Sequence, residues 1–445
     1  MDADTIFAVA SGAGQAAIAV MRVSGPDCRR VLAGLCGRVP PPRRVSFRRL
    51  RDIDQAMVVW LPGPGSYTGE DSAEFFLHGG RAVLTGVADA LVALGARPAD
   101  PGEFTRRAFL NGRMDLTEAE AVHDLIAAET EAQRRQALRQ LDGALGTLYG
   151  GWGDRLRLLL AQQEALIDFP DEDLPPEVEA QVQVELAALW GEVAAHLDDG
   201  RRGERLREGL VFAVTGQPNV GKSSLVNVLA ERDVAIVSPI PGTTRDALET
   251  RVVLGSVPVT LVDTAGLREA ADEIEAEGVR RARARAAAAD LVITVEEPPL
   301  AGGGWGERAA GDPGPPPPNP LPQGEGEPGI GILVVNKIDL GGSVPAGAIA
   351  VSALTGEGLA ELRGRLADAA RALTASAGPP PLTQARHRAA LQEAAARLAG
   401  AQTAELPELR AEDLRLALRA LGRITGSVGV EDILDTLFAR FCIGK

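Results

Sequence analysis

The sequence predicts a multidomain chain in which an α+β N-terminal domain is followed by a central helical domain, with an α/β domain inserted into the helical one. Its 445 residues exceed what one hydrophobic core normally serves. Strand-length apolar runs alternate with helical segments over residues 209–374, which is typical of a mostly parallel sheet with helices on both faces. Long helical runs precede and follow that region, and such flanking helices indicate an insertion.

Residues 1–116 mix short apolar runs such as "IFAVA" and "AAIAVMRVSG" with Gly/Pro turns, which predicts strands and a few helices. Helical periodicity then begins, and Thr117 followed by Glu120 predicts a capping box. The run "DFPDEDLPPE" interrupts the pattern, and a second helix is expected from about Glu177 to Arg207. Residues 117–208 are therefore predicted to form the first part of the helical domain.

The α/β domain is predicted at residues 209–374 from the strand-length runs "LVFAVTG", "VPVTLVD", "DLVITV", "GILVVN" and "AIAVSA". Within it, residues 298–330 are so rich in Gly and Pro that they predict a disordered surface insertion, with a proline-rich docking ligand as the alternative. Residues 375–445 return to helices. They are predicted to be the second part of the helical domain and to pack against the first part.

Composition limits the partners and the compartment. The net charge of −15 means that any contact with nucleic acid requires a local basic patch, and the runs "RRQALRQ" and "RRGERLREG" are either such patches or solvated helix faces. Cys28, Cys36 and Cys442 lack the spacing of metal ligands, which argues against a disulfide framework or zinc site and favours the reducing cytoplasm. No 18-residue uncharged apolar stretch occurs and the N-terminus is acidic, so a membrane span and a signal peptide are not expected.

The segment "GQPNVGKSS" at 216–224 follows a predicted strand and precedes a predicted helix, the context in which G-x-x-x-x-G-K-[ST] cradles phosphate. We expect Lys222 to reach the β- and γ-phosphates and Ser223 to ligate Mg²⁺. In "PGTTRD", Thr244 is expected to ligate the same Mg²⁺ and to sense the γ-phosphate. In "LVDTAGL", Asp263 is expected close to the Mg²⁺, and the Gly266 amide close to the γ-phosphate.

The segments "VVNKID" and "VSALTG" identify the base. Asp339 is suited to accept both N–H protons on the Watson–Crick edge of guanine, and Asn336 to hold the base and the neighbouring loop. Backbone groups of Ser352 and Ala353 are suited to the guanine oxygen. These motifs predict GTP rather than ATP, bound by Asn219, Val220, Gly221, Lys222, Ser223, Ser224, Ser238, Thr243, Thr244, Asp263, Thr264, Ala265, Gly266, Asn336, Lys337, Asp339, Ser352, Ala353 and Leu354.

The water-positioning group is not where Ras-like proteins have it, because Leu267 follows "DTAG" where they carry glutamine. The carbonyl oxygen of Asn219 is a candidate to coordinate a monovalent cation in the place of an arginine finger. Glu275 is a candidate to organise the water. It belongs to a cluster of four carboxylates, however, and a solvated acidic face is the alternative.

The chain resembles the tRNA modification GTPase MnmE (TrmE) family in "DTIFAVASG", "PGPGSYTGEDSAEFFLHGG", "RPADPGEFTRRAFLNGRMDLTEAEAVHDLI", "LIDFPDED" and the terminal "FCIGK". The resemblance implies a homodimer with a folate-binding N-terminal domain, a helical domain and an inserted GTPase domain whose activity depends on K⁺. It also implies a FAD-containing partner, MnmG. Together the two proteins would install an aminomethyl or carboxymethylaminomethyl group on carbon 5 of the wobble uridine of certain tRNAs, with 5-formyl- or 5,10-methylene-tetrahydrofolate as the one-carbon donor.

The same resemblance implies roles for individual residues. Glu275 would organise the water, and Cys442 would take part in the modification chemistry as a nucleophile or base, with a small buried hydrophobe as the alternative. Arg113 stands where the family pattern has lysine, so its contact geometry would differ. The implied K⁺ site comprises Asn219, Ser238, Ile240 and Thr243, and the implied folate site comprises Arg22, Glu74, Arg113 and Lys445.

Two other classes compete with this interpretation. A GTP-switched ribosome or RNA assembly factor would share the GTPase motifs, but the N-terminal domain and "FCIGK" favour the modification enzyme. A lipidated GTPase would need Cys442 in a C-a-a-X signal, which Gly444 and Lys445 fit poorly. Lysine itself is informative, since only Lys222, Lys337 and Lys445 stand among 46 basic residues, and two of them lie in nucleotide motifs.

Overall fold

The protein is described from a computed structural model. The structure describes residues 4–12, 14–168, 176–232, 249–264, 287–299, 330–375, 378–429, 431–439 and 441–444. Backbone contacts divide the chain into two compact units. The first unit comprises residues 1–123, 139–192 and 389–445, and the second comprises residues 124–138 and 193–388.

The first unit contains a six-stranded sheet in the order β3-β4-β5-β2-β1-β6, antiparallel except where β1 pairs with β6. Its strands are β1 (Ile6–Val9), β2 (Ala16–Ser24), β3 (Ser46–Leu50), β4 (Asp54–Leu61), β5 (Ser72–Gly79) and β6 (Arg97–Pro98). Its helices are α1 (Cys28–Cys36), α2 (Arg81–Ala93) and α3 (Glu103–Leu110). The α+β prediction for the N-terminal domain is confirmed.

Alternation along the strands decides which face is buried. In β5, Ala73, Phe75 and Leu77 point to the core that α1 and α2 cover, so Glu74 and His78 point to the opposite face. Register pairs Glu74 with Arg22 on β2, which brings two charged side chains together on that second face. The strand pattern thus assembles the first group of candidate site residues.

Helices make up most of the remaining chain. They are α4 (Leu116–Ala127), α5 (Glu131–Leu141), α6 (Ala144–Asp168), α7 (Pro176–Leu197), α8 (Arg202–Glu208), α9 (Lys222–Arg232), α10 (Leu359–Thr374), α11 (Ala385–Thr403), α12 (Pro407–Thr425) and α13 (Glu431–Phe438). Helix α6 packs along α12, so helices on the two sides of the α/β region do associate. The boundaries drawn from the sequence at 116/117, 208/209 and 374/375 stay predictions.

Two local predictions were wrong. The capping box at the start of α4 is formed by Asp115 and Glu118, since each side chain accepts a hydrogen bond from the other's backbone N–H, at 2.8 and 2.6 Å. The single helix expected up to Arg207 is broken into α7 and α8. Gly200 and Arg201 have φ of 62° and 56°, and two consecutive left-handed residues cannot continue a right-handed helix.

The second unit contains a six-stranded sheet in the order β12-β11-β10-β7-β9-β8, parallel except for the pairing of β8 with β9. Its strands are β7 (Leu210–Gly216), β8 (Glu249–Leu254), β9 (Val257–Asp263), β10 (Leu291–Glu296), β11 (Ile330–Val335) and β12 (Ile349–Ala350). The mostly parallel sheet is confirmed. Of the insertion predicted at 298–330, residues 300–329 lie outside the described residues, and Ile330 already belongs to β11.

Candidate functional site

The loop between β7 and α9 lies close to other parts of the chain at two glycines. Gly216 has φ of 141°, and a β-carbon there would clash with the carbonyl oxygen of Val295. Gly221 has φ of 90°, and a β-carbon there would clash with Nδ2 of Asn336. Both glycines of the phosphate-loop motif are therefore required by the backbone itself.

Lys222 begins α9 and is 4% exposed. Its Nζ donates hydrogen bonds to the carbonyl oxygens of Gly216, at 3.0 Å, and Gln217, at 2.7 Å. The ammonium group thus lies across the loop whose amides are expected to cradle phosphate.

Ser223 and Asp263 bring oxygen atoms together beside this loop. The Ser223 hydroxyl donates to Oδ2 of Asp263, and Thr264 Oγ1 donates to the carbonyl oxygen of Val214 at 2.8 Å. A hydroxyl next to a carboxylate fits Mg²⁺, which takes oxygen ligands. The donor chemistry therefore agrees with the Mg²⁺ site predicted at Ser223.

Asn336 connects three loops. Its Nδ2 donates to the carbonyl oxygen of Val220 at 2.9 Å, and its Oδ1 accepts from the amide of Ala353 at 3.1 Å. Close by, the Ser352 hydroxyl donates to Oδ1 of Asp339 at 2.5 Å. The side chains predicted to recognise the base are therefore brought to one place.

Lys337 extends this set toward the phosphate loop. Its Nζ donates to the carbonyl oxygen of Asn219 at 2.7 Å and forms an ion pair with Glu297. Asn219 and Lys337 both have φ of 66°, an uncommon conformation for residues other than glycine. Glu297 was not predicted, and the sequence gives no motif that would have found it.

The remaining predicted positions fall into two groups. Ser224 on α9 and Leu354 after Ala353 are exposed. Several predicted residues lie outside the described residues, namely Ser238, Ile240, Thr243, Thr244, Ala265, Gly266, Glu275 and Lys445.

A second group of polar residues lies in the N-terminal domain. Arg22 Nη2 donates to Oε1 of Glu74 at 2.8 Å, and the guanidinium carbon lies 5.1 Å from the Tyr67 ring centroid and 5.8 Å from that of Phe104. Within the described residues, Nη1 of Arg22 is buried without a hydrogen-bond partner. Burial raises the pKa of Tyr67, whose hydroxyl meets the Thr105 hydroxyl at 2.8 Å. Tyr67 was missed, although it stands in the quoted "GSYTGE".

The C-terminal segment lies against the same domain. Gly444 has φ of 100°, and a β-carbon there would clash with the carbonyl oxygen of Val9 on β1. Cys442 is exposed in the part of the chain that the structure describes, which contradicts the alternative of a small buried hydrophobe. Burial raises the pKa of Cys28 and brings that of Cys36 to about 11, which disfavours their thiolates. Arg113 is exposed, and its side chain lies beside Gly69.

Comparison with known proteins decides the family. The model described as MnmE helical domain matches residues 116–442, and the model described as GTP-binding protein TrmE N-terminus matches residues 5–113. A tRNA modification GTPase MnmE from Gluconacetobacter diazotrophicus is 61% identical, covering 99% of this chain and 98% of its own length. Another from Granulibacter bethesdensis is 55% identical over the full length of both chains.

The chain belongs to the tRNA modification GTPase MnmE family. As a member it is a GTP hydrolase that acts in tRNA modification and uses GTP and Mg²⁺. Among solved structures, the FeoB G-domain from Methanococcus jannaschii is 20% identical, with a TM-score of 0.23 over 36% of this chain and 98% of that one.

None of the described helices combines the length and apolar character needed to cross a bilayer. No cluster of three or more His, Cys, Asp or Glu side chains suited to a metal ion was found in the part of the chain that the structure describes.

Proposed function

We propose that this chain is a K⁺-dependent GTPase that works with the FAD-containing MnmG on the wobble uridine of certain tRNAs. The pair would install an aminomethyl or carboxymethylaminomethyl group on carbon 5, with 5-formyl- or 5,10-methylene-tetrahydrofolate as the one-carbon donor. One observation carries the proposal: identity of 55% extends over 100% of the chain, and so spans the N-terminal domain and the C-terminal end as well as the GTPase motifs. An RNA assembly factor would share only the GTPase motifs.

In the proposed site, Lys222 would contact the β- and γ-phosphates and the amide of Gly266 would contact the γ-phosphate, with Thr264 and Ala265 also binding the nucleotide. Ser223 and Thr244 would hold Mg²⁺, which neutralises charge on the phosphate oxygens when bound. The contact between Ser223 and Asp263 supports this arrangement, because the carboxylate orients the hydroxyl. Water then attacks the γ-phosphorus and the bond from the γ-phosphorus to the β–γ bridging oxygen breaks.

Water positioning requires other groups, because the aliphatic side chain of Leu267 cannot hydrogen-bond to water. We assign this task to Glu275 as a general base or orienting group. The side-chain oxygen of Asn219, with groups near Ser238, Ile240 and Thr243, would hold K⁺ beside the phosphates. The cation would then neutralise the charge that an arginine finger neutralises elsewhere.

Deleting the Asn219 side chain should abolish the response to K⁺. Asn219 has φ of 66°, so Asn219→Gly removes the carbonyl oxygen without the backbone strain that alanine would introduce there. We expect the parent chain to hydrolyse GTP faster in KCl than in NaCl, and the variant to hydrolyse it at the slow rate in both. Steady-state phosphate release checks this, and Asn219→Asp, which keeps a side-chain oxygen, should retain part of the response. Equal parent rates in the two salts would contradict the cation site.

The proposed folate site uses Arg22, Glu74, Arg113 and Lys445. The partnerless Nη1 of Arg22 supports it, since a buried donor gains from an acceptor on a ligand. Two rings beside Arg22 offer surfaces for a flat heterocycle. Lys445 follows Gly444, which lies against Val9, and the neighbouring Ala8 is paired with Arg22. Lys445 itself lies outside the described residues, and its part in the folate site is proposed from the position of Gly444.

Cys442 is proposed to take part in the modification chemistry. Its exposed side chain is accessible to a uracil ring, whose carbon 6 it would attack as a nucleophile, or it would act as a base. The Gly102 amide lies 3.5 Å from the carbonyl oxygen of Cys442, which supports an ordered rather than a trailing position. We also propose that the chain forms a homodimer, binds MnmG and is located in the cytoplasm. These three proposals rest on the family assignment alone.

Wobble nucleosides test the function. Mass spectrometry of nucleosides from tRNA of cells lacking this protein should show unmodified wobble uridine, restored when the chain is supplied. Restoration should fail for Lys222→Ala, which cannot hold the phosphates. An assembly factor predicts normal wobble nucleosides together with incomplete ribosomes, and that outcome would overturn the proposal in favour of the alternative.

A further inference from the structure

One stretch of the N-terminal domain has a charge opposite to that of the chain. Residues 38–51, "RVPPPRRVSFRRLR", hold six arginines and no acidic residue in a chain of net charge −15. We call this stretch the arginine edge. It contains Arg38, Arg43, Arg44, Arg48, Arg49 and Arg51, all exposed except the half-buried Arg48. A local positive surface of this kind is what an acidic protein needs in order to meet a polyanion.

The guanidinium groups of the arginine edge are not neutralised. Within the described residues none of the six forms an ion pair, and their hydrogen bonds go to backbone carbonyls, such as that from Arg43 to Gly65 at 2.8 Å and that from Arg51 to Gly34 at 3.1 Å. A backbone carbonyl accepts hydrogen bonds from some of the guanidinium N–H groups, but it does not neutralise the positive charge of the guanidinium. All six arginines therefore keep their attraction for an anion.

The arginine-rich helical runs differ in this respect. On α5, Arg134 and Arg135 both pair with Glu131, at 2.7 and 2.8 Å. On α8, Arg205 pairs with Asp290 at 2.9 Å and Arg207 with Asp124 at 2.8 Å. The two runs singled out in the sequence as possible RNA patches are thus largely compensated, and the arginine edge is not.

The backbone presents the arginine edge outward. Strand β3 is the last strand of its sheet, so one side of it has no partner strand within this sheet. Phe47 and Arg49 alternate onto the same face, where Phe47 is 60% exposed, and Val45 before them is 56% exposed. An exposed aromatic among cations is the combination that binds phosphates and stacks on an unpaired base.

Arginines at a sheet edge can also serve to prevent aggregation, but that role explains the positions of these six arginines less well than anion binding does. Charges placed for that purpose belong on the strand itself, whereas Arg38, Arg43 and Arg44 lie before it. Arg43 and Arg51 also have φ of 56° and 50°, where glycine or asparagine would be less strained. The chain carries guanidinium groups there despite that backbone preference.

We propose that the arginine edge binds the phosphate backbone of tRNA, with Phe47 available to stack on an unpaired base. This inference rests on the role of the family in tRNA modification, and adds the surface by which the substrate is held. The contacts are electrostatic, so they position the RNA without reading its sequence.

The test compares two triple variants of the full-length chain, R43Q/R44Q/R49Q and R134Q/R135Q/R139Q. Each removes three positive charges, so the change in net charge is matched. Fluorescence anisotropy with a labelled, unmodified tRNA transcript measures affinity at several KCl concentrations. We expect the first variant to bind at least about tenfold more weakly and to lose roughly one unit of log–log salt slope per phosphate contact removed. The second should bind as the parent does, and F47A should weaken binding without changing the slope.

Three outcomes would overturn the proposal: unchanged affinity in R43Q/R44Q/R49Q, equal losses in both triple variants, or no tRNA binding by the parent chain. Light scattering tests a fourth such outcome, a change in the oligomeric state of R43Q/R44Q/R49Q. If that change accounts for the weaker tRNA binding, the arginine edge is an interface between copies of the chain. GTP turnover and circular dichroism of the variants verify the fold. If the parent chain restores wobble modification but these binding tests fail, only the tRNA-binding role of the arginine edge is refuted. If the parent chain does not restore modification, the proposed function itself is refuted.

Discussion

Asp339→Asn is expected to change the preferred nucleotide from a guanosine to a xanthosine phosphate. The Ser352 hydroxyl donates to the Asp339 carboxylate at 2.5 Å, and the role proposed for this carboxylate is to accept two N–H groups from guanine. The NH2 group of an asparagine would point at one of those guanine N–H groups, which places two donors against each other. Xanthine carries an oxygen at that position, and this oxygen can accept a hydrogen bond from the asparagine NH2. Losing one hydrogen bond outright, together with the negative charge that strengthens the other, should weaken GTP binding by roughly 10² to 10⁴-fold.

Calorimetric titration with GDP and XDP measures this exchange without turnover. The control is Ser352→Ala, which frees one carboxylate oxygen but keeps the charge. It should weaken both nucleotides by about tenfold or less and leave guanine preferred. If Asp339→Asn bound GDP with parental affinity, the assignment of Asp339 to the base would be wrong.

Gly444→Ala is expected to abolish wobble modification while GTP turnover continues. A β-carbon would clash with the carbonyl oxygen of Val9, and a φ of 100° is also strained for alanine. The tail should therefore leave β1, taking Cys442 and Lys445 with it. No described residue of the nucleotide site lies in the same compact unit as Gly444, so hydrolysis should be retained.

Nucleoside mass spectrometry on complemented cells, together with steady-state GTP hydrolysis, measures both activities. The matched control is Ile443→Ala, because that neighbouring side chain is 60% exposed and removing it leaves the backbone free to adopt its native course. Normal modification by Gly444→Ala would show that the tail needs no fixed position.

Much of the second sheet followed from sequence, because buried parallel strands read as continuous apolar runs. Strand β8 was missed. It joins β9 through Gly255 and Ser256, whose φ values of 58° and 67° fit a two-residue hairpin turn, and "GS" between apolar runs was the available signal. The break before α8 was also missed, because Arg201 in a left-handed conformation has no marker in its residue type.

Parts of the site could not be predicted from local pattern, because they join distant segments. The sequence indicates Arg22 and Glu74 only through family resemblance, whereas strand register makes them neighbours. Glu297 became visible only through its ion pair with Lys337. The sequence did indicate why lysine is kept at 222 and 337. Each ammonium group reaches loop carbonyls as a compact point charge, which a branched guanidinium would not match.

The hydrogen bonds of Asn336 bear on which part of the nucleotide site can drive a conformational change during the GTPase cycle. The bonds from Asn336 to Val220 and Ala353 are intramolecular and do not involve the γ-phosphate, so we expect hydrolysis to leave the base half of the proposed site unchanged. A group with equal affinity for two states shifts no equilibrium between them. Under the proposed assignment, contacts to guanine would hold the nucleotide without driving a conformational change. Free energy for conformational change must come from the phosphate side, so GDP should leave a base pocket that is still assembled for the next GTP.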